Sequence, residues 1–496
     1  MTFPATAPVS LTKHAPAGPT GLQRFWPSPT WPASVWSLAG ALVAGVVAAT
    51  LLPGHAAGLG VAVTAAVAGA AVVPTLRRAR RWYDLAGVVA AVALVGVVAL
   101  RDATWVVVLC ALLAAAVATI ALTGARSWVA IALSPGVGVL GALRTGPWAA
   151  RGAVVAGGTR GKQATPLLRS AAVAVALLTV FGLLFASADA VFASLLPDLG
   201  LDLVPARVLT LVVVTGLVLV AMHVATTRPR WQVLSVPSGR PVRLVEWLVP
   251  VVALDALVVC FVAVQVGALL GGHRHVLATA GLSYAEYARQ GFAQLVVVTA
   301  LTLVVIAVAA RYAPRARTTD RRASSAALAV LAVATLGVVV SALRRMDLYI
   351  DAFGLTRLRL VVAVFEVSLA VVLLLVLVAG VRWRGGWLPR AVTGTTVLAM
   401  LSFAVVNPDA LIAERNIERY RAGADIDMGY LRGLSADAAP AIDRLPEPLR
   451  SCLLTGTDSS PAGGIGGWNL GRERAARIVR SRPPAPTSAL DCYPET

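Results

Sequence analysis

Residues 360–381 have the sequence LVVAVFEVSLAVVLLLVLVAGV, a run of 22 residues with one charged side chain, Glu366. A helix needs about 20 apolar residues to cross the hydrocarbon core of a bilayer. This run therefore predicts a transmembrane helix. The number of comparable runs elsewhere in the chain decides the fold class.

Ten more such runs occur, at 34–52, 57–74, 85–100, 104–122, 170–188, 204–225, 246–270, 293–311, 325–343 and 387–406. Hydrophobic residues make up 58% of the 496 residues and charged residues only 14%. A soluble domain could not cover its surface at that composition. We therefore predict an all-α polytopic membrane protein with about eleven transmembrane helices.

Residues 127–143 are apolar but short, with Ser134-Pro135-Gly136 at the centre. The distribution of Lys and Arg separates two topologies, because cytoplasmic segments carry the excess. If this segment does not span, the inner segments hold 24 basic residues and the outer loops 7; if it spans, the split is 18 to 13. We predict an interfacial or re-entrant helix on the cytoplasmic side, a cytoplasmic N-terminus and an extracytoplasmic C-terminus.

Five parts of the chain follow from this topology. They are a disordered Pro-rich cytoplasmic tail (1–33), four transmembrane helices (34–122), a basic cytoplasmic linker (123–169), seven transmembrane helices (170–406) and a small extracytoplasmic tail (407–496). Within the last part, helices are predicted at 409–421, 435–444 and 468–479, with a flexible loop at 455–466.

Ionisable residues inside or beside the apolar runs are the main candidates for a functional site, because an unpaired charge in a bilayer is costly. They are Asp255, Glu366, Arg207 at the outer start of its helix, and Asp189 in the stretch LLFASADAVFASLL (183–196). One interpretation is a pathway for protons or a charged substrate. The other is a buried ion pair or hydrogen-bond anchor. For Asp189 we predict a position at the membrane boundary, beginning an acidic outer loop that attracts the basic outer loop at 344–359.

Cys452 and Cys492 both fall in the predicted extracytoplasmic tail, where the environment is oxidising. A disulfide and two free thiols are both compatible with the sequence. Three motif fragments lack the spacing of a nucleotide, calcium or metal site: GGTRGKQ (157–163), DIDMG (425–429) and His273-Arg274-His275. We therefore predict no catalytic, cofactor-binding or metal-binding residues.

Two segments carry a family resemblance, FASADAVFASLL (185–196) and NPDALIAERNIERYRAGADIDMGYLRGLSADAAPAIDRLP (407–446). They resemble the bacterial membrane proteins grouped as domain of unknown function 4173, related to group 4153 and common in actinobacteria. The resemblance implies a multi-pass plasma-membrane protein without an assigned activity.

Two functional hypotheses follow. The first is a non-enzymatic cell-envelope component, for sensing or scaffolding, which contacts the lipid bilayer and, through its tail, other envelope proteins. The second is a transporter or lipid-handling protein that uses the intramembrane acids. The net charge of +19 is not a sign of nucleic-acid binding, because no patch of basic and aromatic residues lies on a soluble domain.

Overall fold

The computed structural model describes residues 21–29, 31–77, 82–188, 203–234, 243–270, 292–314, 316–383, 385–455, 464–486 and 492. The membrane part contains α1 (Gly21–Phe25), α2 (Val35–Leu51), α3 (Leu59–Arg77), α4 (Trp82–Gly96), α5 (Thr104–Thr123), α6 (Trp128–Ala188), α7 (Val204–Thr226), α8 (Leu244–Leu270), α9 (Phe292–Tyr312), α10 (Thr318–Phe353), α11 (Arg357–Arg382) and α12 (Leu388–Val406). The described residues contain no β-strand.

Ten described helices are long and apolar enough to cross a membrane, which confirms the polytopic all-α fold class. Nine of them coincide with predicted transmembrane helices. The tenth is Trp128–Gly158, the first part of α6, which contains the segment predicted not to span. Of the two remaining predicted helices, 34–52 corresponds to the shorter helix α2, and 170–188 lies in the second part of α6, beyond a break at Gly158.

The membrane helices form two bundles. In the first bundle α2, α3, α4, α5 and α7 pack on one another, and in the second α8, α9 and α11 pack around α10. Helix α12 lies between them, because it packs on α4 and α5 on one side and on α11 on the other. Close approach in the first bundle depends on small residues, as is usual where no hydrophobic force drives helices together.

Helix α10 corrects the predicted boundary of an outer loop. The apolar run ends at Leu343, but the helix continues through Arg344 and Arg345 to Phe353 and stops only where Gly354 adopts φ 80°. The predicted loop at 344–359 is therefore reduced to residues 354–356, since neither Gly nor Pro interrupts the chain before Gly354.

Residues 407–455 and 464–486, together with Cys492, form a compact unit, called the C-terminal unit below. Its helices are α13 (Pro408–Arg421), α14 (Met428–Arg432), α15 (Ala439–Ile442), α16 (Leu449–Leu454) and α17 (Leu470–Ser481). The first and last match the predicted helices closely, and Ser435 precedes a 3-10 turn (Ala436–Ala438) that leads into α15. Residues from all five helices contribute to one apolar core that also includes Cys452 and Cys492, which form a disulfide.

The segment before α2 (residues 25–29 and 31–33) and the C-terminal unit lie at opposite ends of the helices. The indole Nε1 of Trp26 donates to the hydroxyl of Thr227, just past the end of α7. The backbone N–H of Ala33 donates to the carbonyl of Trp148 in α6. The C-terminal unit instead contacts the loops that join α2 to α3, α4 to α5, and α10 to α11.

Gly45 in α2 tests this packing, because a Cβ there would meet Thr215 and lie 2.8 Å from the carbonyl oxygen of Leu211, both in α7. We expect Gly45→Ala to lower the free energy of unfolding by about 1–3 kcal/mol through overpacking. Gly216→Ala is the matched control, since nothing lies within 4 Å of its added methyl group. Equal melting temperatures of the two variants in detergent would contradict the α2–α7 contact.

Candidate functional site

The connection from α12 to α13 consists of one residue, Asn407. Its backbone adopts φ 63° and ends α12, while its side-chain oxygen accepts a hydrogen bond from the N–H of Ala410 and so caps α13. Pro408 follows at the first helical position, where a missing N–H costs nothing. This tight turn fixes Asp409 directly above the end of the membrane helices.

Asp409 joins three parts of the molecule. Its Oδ1 accepts hydrogen bonds from Trp105 Nε1 of α5 at 3.0 Å and from Arg357 Nε of α11 at 3.1 Å. Its Oδ2 accepts from Arg357 Nη2 at 2.7 Å and from the backbone N–H of Ser435 at 2.9 Å. The carboxylate is fully buried, and the two-pronged contact with arginine is the strongest geometry for such a pair.

The electrostatics of Asp409 favour the charged form. Burial by itself raises the pKa of a carboxyl group, but the hydrogen bonds from Arg357 and Ser435 and the charge of Arg357 outweigh burial and lower the pKa of Asp409. An ionised Asp409 therefore bonds to the first bundle, the second bundle and the C-terminal unit at once.

A second carboxylate, Asp437, binds the loop between α4 and α5. Its Oδ2 accepts from the N–H groups of Asp102 at 2.7 Å and Ala103 at 2.9 Å. Burial raises the pKa of Asp437 above its usual value, and these two amides oppose the shift. Next to it, Asp102 Oδ1 accepts from Arg472 Nη1 of α17 at 2.9 Å.

Arg101 connects the same loop to the end of α12. Its Nε donates to the carbonyl of Ala404 at 2.6 Å and its Nη2 to that of Val405 at 2.7 Å. These carbonyls belong to the last turn of α12, where carbonyl groups lack the usual donor four residues further on and attract a cation. Arg101 therefore binds the first bundle to α12.

Polar side chains of the C-terminal unit complete the contact with the membrane helices. Asn469 Nδ2 donates to the carbonyls of Val98 and Arg101, in the segment that follows α4. Asn416 donates to the carbonyl of Leu355, and Arg419 donates to those of Asp351 and Ala352 at the end of α10. Each contact satisfies a backbone group at a helix end, so the unit is fixed to both bundles.

The intramembrane acids occupy separate positions in the second bundle. Asp255 lies in α8 and Glu366 in α11, and both are buried. Among the described residues, neither Asp255 Oδ1 nor either oxygen of Glu366 has a hydrogen-bond partner. No ion pair in the described part of the chain joins them to Arg207, which is exposed at the start of α7.

The depths of the two acids follow from contacts with α10. Ser325 donates to the carbonyl of Gly380, fourteen residues beyond Glu366, and Ser341 donates to Gln265, ten residues beyond Asp255. Because α11 runs antiparallel to α10 and α8 runs parallel to it, Glu366 lies level with about residue 339 of α10 and Asp255 with about residue 331. At 1.5 Å per residue the two carboxyl groups are therefore roughly 12 Å apart along the helices. Asp255 and Glu366 are therefore not brought into one site.

Gln265, Ser341 and Arg345 form a polar contact that the sequence analysis did not predict. Ser341 Oγ and Arg345 Nη2 both donate to Gln265 Oε1, at 3.0 and 3.1 Å. The run of apolar residues stops just before Arg344, which suggested a loop at that point. Asp189 and most of its predicted outer loop lie outside the described residues.

Comparison with known proteins identifies the family. Residues 88–445 match the family described as Domain of unknown function (DUF4153). The chain belongs to the DUF4153 family. The DUF4153 match begins in α4 and ends after α15. It therefore includes Asp409, Asp437 and the residues of the membrane helices that bind them, but not Asn469 or Arg472. No curated protein and no solved structure matches the chain.

The Asp409 pair yields a pH-dependent prediction. Because the folded-state pKa of Asp409 lies below the unfolded value near 3.9, its stabilisation is fully present above about pH 5 and is lost as the pH falls through the folded-state pKa. We expect Asp409→Asn to lower the free energy of unfolding by about 3 kcal/mol at pH 7, the lower end of the range for breaking a buried ion pair. In thermal unfolding, the difference in melting temperature between the variant and the parent protein should become smaller from pH 7 to pH 3.

Glu418→Gln is the control for that measurement, because Glu418 forms an exposed pair with Arg415 at 3.5 Å. Exposed pairs are worth about 1 kcal/mol or less, so this variant should unfold like the parent at every pH. If the difference in melting temperature between Asp409→Asn and the parent stays constant down to pH 3, the charge of Asp409 is not what stabilises the junction.

Proposed function

We propose that this DUF4153 protein is a non-enzymatic component of the bacterial plasma membrane and cell envelope, which scaffolds or senses through its C-terminal unit. The observation that carries the proposal is the Asp409 junction, which fixes the unit to both membrane bundles. Because the unit is held by buried polar contacts, a partner bound to it would be coupled to the membrane helices without a flexible linker.

In this proposal the C-terminal unit is extracytoplasmic and the N-terminus is cytoplasmic. Two observations support the orientation. The disulfide between Cys452 and Cys492 is typical of an oxidising compartment. The basic residues of the connecting segments are concentrated at the opposite end, which the positive-inside rule assigns to the cytoplasm. The motifs at 185–196 and 407–446 further support an actinobacterial member close to group 4173.

A second function, transport or lipid handling, is favoured by a different observation. Buried carboxyl groups without partners inside a membrane are costly and are typical of proton or ion pathways. Among the described residues, both carboxyl oxygens of Glu366 and Oδ1 of Asp255 fit that description. In this case the second bundle would perform the function, and the C-terminal unit would only stabilise it.

The orientation can be tested with an impermeant maleimide on intact cells. In a background carrying Cys110→Ala and Cys260→Ala, we expect Arg477→Cys, exposed on α17, to react in intact cells. Arg126→Cys, exposed between α5 and α6, should react only after the membrane is permeabilised. The reverse pattern would overturn the proposed orientation.

The two functions can be separated by complementation of a deletion strain, scored by its sensitivity to detergent or cell-wall antibiotics. If the protein is a scaffold or sensor, the double variant Asp255→Asn, Glu366→Gln restores resistance fully, whereas Asp409→Asn restores it weakly. Glu418→Gln controls for the change of a surface carboxylate, and membrane levels are matched by immunoblot. Loss of complementation by the double variant at normal protein level would instead favour transport.

A further inference from the structure

The first part of α6, residues 128–157, packs on the first bundle through a single stripe. The buried residues of this segment recur every three or four positions: Ala130, Ser134, Val137, Gly141, Thr145, Trp148 and Gly152. Such spacing places them on one side of a helix. Most are small, so the helix lies close against its neighbours while the rest of its circumference stays outside the bundle.

The contacts of this stripe stay at one end of the bundle. Gly138 packs on Thr119 near the end of α5, and Gly141 packs on Val220 and Val224 near the end of α7. Gly152, fourteen residues and about 21 Å beyond Gly138, still packs on Ala33, before the start of α2. A helix that crossed the membrane would have reached the other end by then. The helix therefore runs across the ends of α5 and α7.

One side of this helix carries two arginines among exposed apolar residues, and the segment before α2 partly covers it. Arg144 and Arg151 are seven residues apart, close to two turns, and so share a side. Arg144 donates to the carbonyl of Trp26 at 3.0 Å and to Ser28 Oγ at 2.9 Å. Arg151 and Arg126 are exposed. Between Asp102 and Asp189 the sequence has no Asp or Glu and six Lys or Arg.

The side away from the arginines is apolar and exposed. Val139 is 73% exposed and Leu143 is 79% exposed, and Ala132, Pro135 and Ala142 lie on the same side. An exposed apolar side, arginines on another side and no acidic residues are typical of a helix that lies in the membrane interface and contacts anionic lipids.

We propose that residues 128–157 form a membrane-surface helix that binds anionic phospholipid in the leaflet at the end of the bundle where Trp26 and Ala33 lie. Acyl chains pack on Val139 and Leu143, while Arg126, just before the helix, and Arg151, near its other end, bind phosphate groups of different lipid molecules. This surface is separate from the C-terminal unit and does not depend on the scaffold proposal. Lipid binding accounts for the exposed apolar side of a helix that lies at the level of the lipid headgroups.

The depth of the helix can be measured by spin labelling of the full-length protein in nanodiscs containing phosphatidylglycerol. Single cysteines replace Ala132, Val139, Ala142, Gly146 and Ala150, all on the apolar side, in the background lacking Cys110 and Cys260. We expect all five labels to be more accessible to oxygen than to a nickel chelate and to lie at one depth near the headgroups. These positions span about 27 Å, so a depth maximum at the middle position would show a transmembrane helix and overturn the proposal. Equal exposure of all five labels to water would overturn it as well.

Lipid selectivity is tested by adding phosphatidylglycerol or phosphatidylcholine to the full-length protein in detergent and following the melting temperature. We expect phosphatidylglycerol alone to stabilise the parent protein. The double variant Arg126→Gln, Arg151→Gln should require a higher concentration of phosphatidylglycerol for the same rise in melting temperature. The expected increase is about fivefold for each arginine, the value for one basic residue at an anionic surface. Arg477→Gln, at the other end of the molecule, is the control and should behave as the parent.

Equal stabilisation of the parent by both lipids would overturn the proposed partner, as would an unchanged phosphatidylglycerol requirement in the double variant. If the double variant does not fold, Arg151→Gln alone is measured in the same way, with an expected fivefold change.

Discussion

The carboxylate of Asp409 and the guanidinium of Arg357 form the contact on which the arrangement of this protein depends. A buried charge is stable only when its partners compensate for the water it has lost. Removal of one partner leaves the other charge buried without that compensation. Here the partners come from α5, α11 and the loop before α15. Both membrane bundles and the C-terminal unit must therefore be in place together for this charge to be satisfied.

The lipid environment explains why polar contacts, not apolar ones, determine how the parts fit. Apolar side chains gain little by leaving lipid for a helix interface, so the two bundles have no strong hydrophobic reason to associate within the membrane. At the helix ends the situation differs, because free N–H and carbonyl groups need partners. Arg101 supplies them at the end of α12, and Asn416, Asn469 and Asp437 of the C-terminal unit supply them elsewhere. The C-terminal unit thus satisfies backbone groups of helices that are distant in sequence.

The elements that could be predicted from sequence are those set by local composition. Nine membrane helices, the two longer helices of the C-terminal unit and the family relationship to DUF4153 follow from apolar runs, capping residues and a distinctive motif. The end of α10 was predicted wrongly, because two arginines interrupt the apolar run without interrupting the helix, which stops only at Gly354. Hydropathy measures the preference of side chains for lipid, whereas helix termination depends on the backbone.

The candidate site was less predictable, because its bonds join residues far apart in the chain. Asp409 and Asp437 lie in a segment that shows the family resemblance, but nothing near them in sequence indicates Trp105, Arg357 or Asp102 as partners. Asp255 and Glu366 were predicted from their apolar surroundings, and the structure places them in different helices at different depths. Whether two such residues meet depends on helix rotation and register, which a single sequence does not determine.

The contact between Asp437 and the N–H groups of Asp102 and Ala103 has a consequence for biogenesis. Residues 102 and 103 leave the ribosome more than 300 residues before their hydrogen-bond acceptor does. During synthesis the start of α5 is therefore inserted in the membrane without the carboxylate that later binds it, and so is the Arg357 end of α11. The ends of the two bundles that contact the C-terminal unit acquire their final partners only after the last membrane helix has been made. A chain that stops at the end of α12 would contain every transmembrane helix and still lack the contacts that give the membrane part its final form.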